Sequence, residues 1–221
     1  MLKTIMIIIG ITAGMILLYS CDAQETKIYL PPPESEKGVS VEKALSKRRS
    51  VRDYTEQTLD LQQISQLLWS AQGITSDRGG RTAPSAGATY PLEIYLVVNK
   101  SEMLTAGVYH YDNKNHSIQL VKKGSWGKKL SQASLGQASI EQAPVDIIIT
   151  AVVQRTAERY GKRAERYVYM EAGHVSQNIY LQAESLGLGT VVIGAFHDNQ
   201  VQKVMGIEEE VMSIMPIGRK K

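Results

Sequence analysis

The chain has 221 residues, 43% of them hydrophobic and 21% charged, with 18 Gly, 7 Pro and one Cys. That is enough chain for one substantial domain whose core needs no staple, and the apolar content excludes intrinsic disorder. One cysteine excludes an intramolecular disulfide and any four-cysteine metal site. A formal charge of +3 gives no global basic field of the kind that nucleic-acid binding uses, so no nucleic-acid partner is expected.

Lys3 precedes an uncharged apolar stretch from Thr4 to Tyr19. It is shorter than the ~20 residues a membrane-spanning helix needs, and its layout is that of a secretory signal. The stretch ends Leu18-Tyr19-Ser20-Cys21, which resembles a bacterial lipobox with Cys21 as the residue to be lipidated. An uncleaved signal anchor and an ordinary secretory signal fit the same stretch; the placement of Cys21 favours the lipobox. Residues 1–21 are therefore expected to be a lipoprotein-type signal. The protein would then sit in the cell envelope, held to a membrane and facing the periplasm or the exterior. Residues 22–38 are polar and contain Pro31-Pro32-Pro33, a composition that favours a semi-stiff extended spacer. Residues 39–221 are expected to form the folded domain.

Ser40 can cap a short helix carrying Val41, Ala44 and Leu45. Asp60 and Gln63 form a capping-box pair ahead of Leu61, Ile64, Leu67, Leu68 and Ala71, and Gly73 is a natural stop. Ser76 to Tyr90 is a loop rich in small residues. Leu92 to Val98 and Val145 to Val153 read as buried strands. Val108 to Tyr111 and Ile118 to Val121 flank a turn at residues 112–115. Lys128 to Ile140 is weakly helical. A long helix is predicted over Ala164 to Leu186 from the spacing of Val168, Ala172, Val175, Ile179, Ala183 and Leu186. Strands are predicted over Thr190 to Ile193 and Val211 to Ile217. The interleaving argues for an α+β domain with a mixed sheet.

Gly187-Leu188-Gly189 follows a helix and enters a strand, the reverse of a dinucleotide fingerprint. Glu171-Ala172-Gly173-His174 is a single E-x-x-H where a di-iron bundle needs two, so no metal is expected. Arg48, Arg49 and Arg52 with Ser50 suit either a solvated face or a phosphate dianion, whose oxygens match the guanidinium fork. The loop from Thr82 to Ala88 is small enough for backbone to approach a flat ligand, though a plain surface loop fits equally. Residues 193–196 follow a strand and offer backbone N–H groups to a ligand.

Taken together, these segments resemble the FMN-dependent nitroreductase superfamily, and more narrowly its SagB/ThcOx-type dehydrogenase branch. The resemblance spans roughly residues 39–218. It rests on Arg48-Arg49-Ser50-Val51-Arg52, on Pro84-Ser85-Ala86-Gly87 leading to Tyr90-Pro91-Leu92, on Gly107-Val108-Tyr109-His110-Tyr111, on Glu171-Ala172-Gly173-His174, and on Gly187-Leu188-Gly189 through Gly194. The resemblance implies a central mixed or antiparallel sheet flanked by helices in an intertwined homodimer. It further implies FMN as cofactor, with NAD(P)H as a possible electron donor and a small-molecule acceptor. Arg48, Arg49, Ser50 and Arg52 would hold the phosphate, joined by Arg219. Pro84, Ser85, Ala86 and Gly87 would lie against the ring. Gln137 would bond the pyrimidine edge, and Gly194 and Ala195 would bring an N–H to N5. Azoline-oxidising members carry a Lys-Tyr pair before the long helix. Arg159-Tyr160 stands there in this chain, so Tyr160 is the one side-chain candidate for catalysis, and Arg159 argues against a general base. The alternatives are an azoline dehydrogenase and a non-catalytic flavin- or ligand-binding lipoprotein.

Overall fold

The computed structural model describes residues 27–36 and 38–221, and the statements below concern those residues. The elements in chain order are β1 (Lys27–Tyr29), α1 (Val41–Lys47), α2 (Leu61–Gln72), β2 (Leu92–Val98), β3 (Gly107–Asp112), β4 (Ser117–Lys123), α3 (Gly127–Ala133), α4 (Ala138–Gln142), β5 (Val145–Ala151), α5 (Gln154–Tyr160), α6 (Ala164–Ser185), β6 (Leu188–Thr190), α7 (Asp198–Met205) and β7 (Glu210–Arg219). The strands form one sheet in the order β1-β4-β3-β2-β5-β7-β6. Every strand pairing is antiparallel, and the one parallel contact is an isolated bridge between Ser50 and Thr190.

Strand alternation builds a core on each face of the sheet. In β2, Ile94, Leu96 and Val98 face α2 and α6, which contribute Ile64, Leu67 and Leu68 and Val168, Val175 and Ile179. Tyr95 and Val97 face the opposite side, where α3, α4 and α7 bring Leu130, Ile140, Val201 and Met205. The caps are made as the sequence dictates: Ser40 accepts from the Lys43 N–H, and Asp60 and Gln63 close a reciprocal capping box.

Four local expectations change. The single weak helix over 128–140 is two short helices, broken where Leu135 and Gly136 take positive φ. The strand expected over 190–193 is β6, at 188–190; the chain then leaves β7 and touches it again only at Ile193, opposite Ile214. Residues 154–160 and 198–205, where no element is predicted, form α5 and α7.

The segment read as a spacer is, from Lys27 on, packed on the domain. Lys27, Ile28 and Tyr29 pair with Gln119, Ile118 and Ser117, and Leu30 is buried in the core. Ser65 donates to the Pro31 carbonyl at 2.5 Å, and Gln66 makes two bonds to the Glu34 backbone at 2.8 and 3.1 Å. Cys21 and the signal lie outside the described residues. Among the described residues, no helix is long and apolar enough to cross a membrane.

Candidate active site

The arginine-bearing segment is short and irregular, and tertiary contacts fix it. Val51 N–H donates to Thr190 O at 2.9 Å, so residues 50–51 run beside β6. Tyr54 is 2% exposed, and its hydroxyl bonds the carbonyls of Val51 (2.7 Å) and Pro216 (3.0 Å). Thr55 N–H donates to the Arg219 carbonyl at 2.9 Å, which places Arg219 next to the segment at the end of β7. The structure thus brings Arg48, Ser50, Arg52 and Arg219 to one edge of the sheet. Gly189 and Gly218 allow this approach: a Cβ would fall 2.7 Å from Val51 at Gly189 and 2.8 Å from Tyr54 at Gly218.

Tyr180 on α6 organises this edge, and nothing in the sequence marks it. Its hydroxyl meets Ser50 Oγ at 3.0 Å and accepts from the Val192 N–H at 2.9 Å. The Arg48 guanidinium sits 5.0 Å from its ring centroid, within cation–π range. One side chain therefore ties the arginine segment to the 190–195 loop. Tyr180→Phe removes that tie and orphans the Val192 N–H. It is expected to lower stability by about 1–3 kcal/mol and to weaken anion binding, both readable by melting and titration.

Arg49 behaves differently from its neighbours. Its Nη1 donates to the carbonyls of Ser46 (3.1 Å) and Arg48 (2.7 Å), where it stabilises the end of α1. Among the described residues, no carboxylate reaches Arg48, Arg49, Arg52 or Arg219 within ion-pair distance. Cations gathered at one edge without a counter-charge suit an anionic group, and Ser50 adds a hydroxyl.

The 190–195 loop continues the site. Gln137 Nε2 donates to Ala195 O at 3.0 Å, so these two predicted residues are in contact. The N–H groups of Gly194 and Ala195 take no part in the bridge at Ile193, and a Cβ built on Gly194 would meet nothing within 4 Å. That open space accommodates a flat ligand against backbone.

The loop from Pro84 to Gly87 is held by another set of contacts. Ser85 Oγ accepts from the Tyr90 N–H at 2.9 Å. Arg159 donates to Gly87 O at 3.1 Å, and Asn178 on α6 donates to Thr82 O at 3.2 Å. Gly87 has φ +58, and a Cβ there would come within 2.6 Å of the Tyr160 hydroxyl. Tyr160 also packs edge-on to Tyr167 at 4.8 Å. Behind the loop, Arg81 bonds Gln72 (2.9 Å), and Gln72 reaches the buried Glu171 (3.5 Å). Burial pushes the Glu171 carboxyl up, against opposing bonds from Ser85 and Gln72.

Both halves reach α6, the arginine segment at Tyr180 and the loop at Asn178 through Thr82 and at Glu171 behind Ser85. Tyr180 and Glu171 are nine residues apart, about 14 Å along a helix. Among the described residues, no hydrogen bond or ion pair joins residues 48–52 to residues 84–87. His174 is solvent-exposed, and no cluster of three potential metal ligands occurs among the described residues.

The chain thus carries an arginine edge, a small-residue loop and an open glycine turn on a seven-stranded antiparallel sheet between helices. The Nitroreductase family matches residues 45–219, and the chain belongs to that family. It is 47% identical over 194 residues to a protein of Methanocaldococcus jannaschii described as "Putative nitroreductase MJ1384", covering 88% of this chain and 96% of that one. A nitroreductase-family crystal structure from Ralstonia eutropha superposes with a TM-score of 0.78 at 32% identity, covering 88% of this chain and 90% of the other. The microcin B17-processing protein McbC of Escherichia coli is 27% identical over 162 residues; the match spans 70% of this chain and 59% of McbC. The protein is thus a nitroreductase-family oxidoreductase.

Proposed function

We propose that this protein binds FMN and passes reducing equivalents between a donor and a small-molecule acceptor in a two-step, ping-pong cycle. The observation that carries the proposal is the edge along which the backbone places Arg48, Ser50, Arg52 and Arg219 without a carboxylate partner among the described residues, together with the open Gly194 turn. FMN carries one phosphate and one flat ring, and members of this family generally use FMN with NAD(P)H. Bound there, FMN would supply hydride acceptance and donation at N5.

The roles of the chain follow from the geometry. Arg48 and Arg52 supply fixed positive charge to the phosphate, and Ser50 supplies a hydroxyl oriented by Tyr180. Gln137, already bonded to Ala195 O, stiffens the turn that presents the Gly194 and Ala195 N–H groups. A preformed donor at the atom where charge develops stabilises the reduced state without reorganisation. No side-chain base is required for this exchange. Tyr160 lies beside Gly87 and is positioned to border the ring face, not to serve an identified proton transfer.

Among the described residues, no hydrogen bond or ion pair joins the Pro84–Gly87 loop to residues 48–52 of its own subunit, which leaves room for a second copy of the chain to complete the site. The outward face of α6 supports this as well: Tyr169 is 58% and Met170 54% exposed, followed by Gly173 and His174 on the surface. Ala172 and Ser176, by contrast, pack inside the subunit. Light scattering at micromolar concentration is expected to give the mass of a dimer, near twice 24.4 kDa. A monomer would remove the shared site.

A second reading is oxidation of a thiazoline- or oxazoline-like ring, which the likeness to McbC favours. Arg159 weighs against it. A guanidinium is a poor general base, and that of Arg159 is engaged with Gly87 O, so it does not stand in for a lysine base. Reduction of the bound flavin by NAD(P)H would favour the reductase; reduction only by an azoline would favour the dehydrogenase.

We further propose that Cys21 carries a lipid anchor and that the domain works in the cell envelope. The lipobox-like sequence at residues 18–21 supports this. Cys21→Ser is expected to release the protein from membranes, and retention would point to an uncleaved anchor.

A further inference from the structure

The sheet face opposite α6 carries a cationic cavity that the flavin chemistry does not use. It measures about 510 Å3, and its lining includes Lys122, Trp126, Lys129 and Lys203 with Gln132 and Gln200. The indole of Trp126 forms a floor beneath two ammonium groups: Lys122 Nζ lies 3.9 Å and Lys129 Nζ 4.9 Å from its centroid. Lys122 is pinned by the carbonyls of Val204 (2.8 Å) and Lys203 (3.3 Å) in the last turn of α7. Among the described residues, none of these lysines meets a carboxylate within ion-pair distance. Burial and the neighbouring Lys129 both act against the charge on Lys122. The indole face and the two carbonyls hold these ammonium groups, but their mutual repulsion remains, and an anion entering the cavity would relieve it. Lys123 and Lys128 are exposed on the flanks.

The direction of β1 says where this cavity points. Lys27 is opposite Gln119 in an antiparallel ladder, so the chain enters β1 from the end of β4 that carries Lys122 and Lys123. Lys122 is three residues further along β4, about 10 Å at strand rise. Cys21 is six residues before Lys27, a reach of at most about 20 Å. A lipid on Cys21 would therefore hold this edge of the sheet against the bilayer.

We propose that the Lys122–Trp126–Lys129–Lys203 cavity takes the phosphate of an anionic phospholipid headgroup and sets the orientation of the domain on the membrane. The proposal rests on Cys21 as the anchor for its orientation, but the cavity can be tested apart from it. Clustered lysines near an anionic leaflet contribute about 1 kcal/mol each, and tryptophan favours the interfacial region. The acidic run Glu208-Glu209-Glu210 lines a separate groove that begins at Gly206, next to Lys122. An anionic surface would repel it, which favours a tilt with the lysine cavity down.

The test is a fluorescence titration of the full chain with dihexanoyl-phosphatidylglycerol below its micelle concentration. Dihexanoyl-phosphatidylcholine and inorganic phosphate serve as comparisons. A saturable change is expected with the glycerol lipid, much weaker with the other two, and lost in Trp126→Phe. Lys129→Ala with Lys203→Ala should weaken it roughly 30-fold, the equivalent of about 1 kcal/mol for each lysine. An equal response to inorganic phosphate would overturn the lipid assignment in favour of a free-anion site. No response, or one indifferent to the lysines, would overturn the site. Fractionation of Cys21→Ser reads the anchor separately: membrane retention there would contradict the anchor and leave the titration result standing.

Discussion

Replacing Arg48 and Arg52 together by alanine is expected to weaken FMN binding about 100-fold or more. Charge-assisted bonds are worth about 1.5–3 kcal/mol each, so the pair spans about 3–6 kcal/mol. Arg52 is exposed and Arg48 half-buried, so solvent screening places the effect at the lower end. The comparison that makes this informative is Arg49→Ala. Arg49 is spent on the carbonyls of Ser46 and Arg48, so its loss should change FMN affinity far less. Calorimetric titration of the apoprotein distinguishes these outcomes. Equal effects from all three arginines would mean a diffuse electrostatic contribution and no defined phosphate site.

The second large effect is expected at Tyr54, which touches no ligand. Its ring is packed against Gly218, and its hydroxyl bonds Val51 and, 162 residues downstream of Tyr54, Pro216. Tyr54→Ala removes a buried aromatic and should cost about 3–5 kcal/mol. For a chain of this size that lowers the melting midpoint by roughly 6–20 °C. Tyr54→Phe keeps the ring and loses only the shared hydroxyl bond, about 1–2 kcal/mol. Both variants release the arginine segment from β7, so FMN affinity should fall with stability. A Tyr54→Ala protein that melts normally would show that the segment is held by its backbone contacts to Thr190 and Arg219 alone.

Much of the fold was legible because its signals are local. Ser40, and Asp60 with Gln63, cap their helices through partners three residues away. The long helix announces itself by Val168, Val175 and Ile179, all buried. What was missed depends on distant partners. β1 has only three residues beside a proline run, and its pairing with β4 lies some ninety residues downstream. α7 buries only Val201 and Met205, too few to show a periodic face. The strand expected to reach Ile193 stops at Thr190 because the chain leaves β7 there, and no residue preference encodes that departure.

The site divides in the same way. Arg48, Ser50, Arg52, Gly194 and the Pro84–Gly87 loop stand in short sequence motifs, whereas Gln137 enters only through the family resemblance. Tyr180 was not legible, because it fills an ordinary buried position on α6 and its function is set by Ser50, 130 residues away. Arg49 sits inside the motif yet turns to α1, a choice made by side-chain geometry. The tether expected over 22–38 shortens for a related reason. Pro31 and Glu34 offer backbone groups that Ser65 and Gln66 take up, so a composition typical of spacers is docked instead.

The arginine edge and the Gly194 turn are proposed to hold a working flavin. The most direct measurement is the visible absorption spectrum of the purified full chain supplied with FMN, recorded before and after anaerobic addition of NADPH. A bound-flavin spectrum that bleaches, and returns when a nitroaromatic or quinone is added, is the predicted result. A colourless protein that takes up no FMN would contradict the account and favour a ligand-binding lipoprotein without redox chemistry.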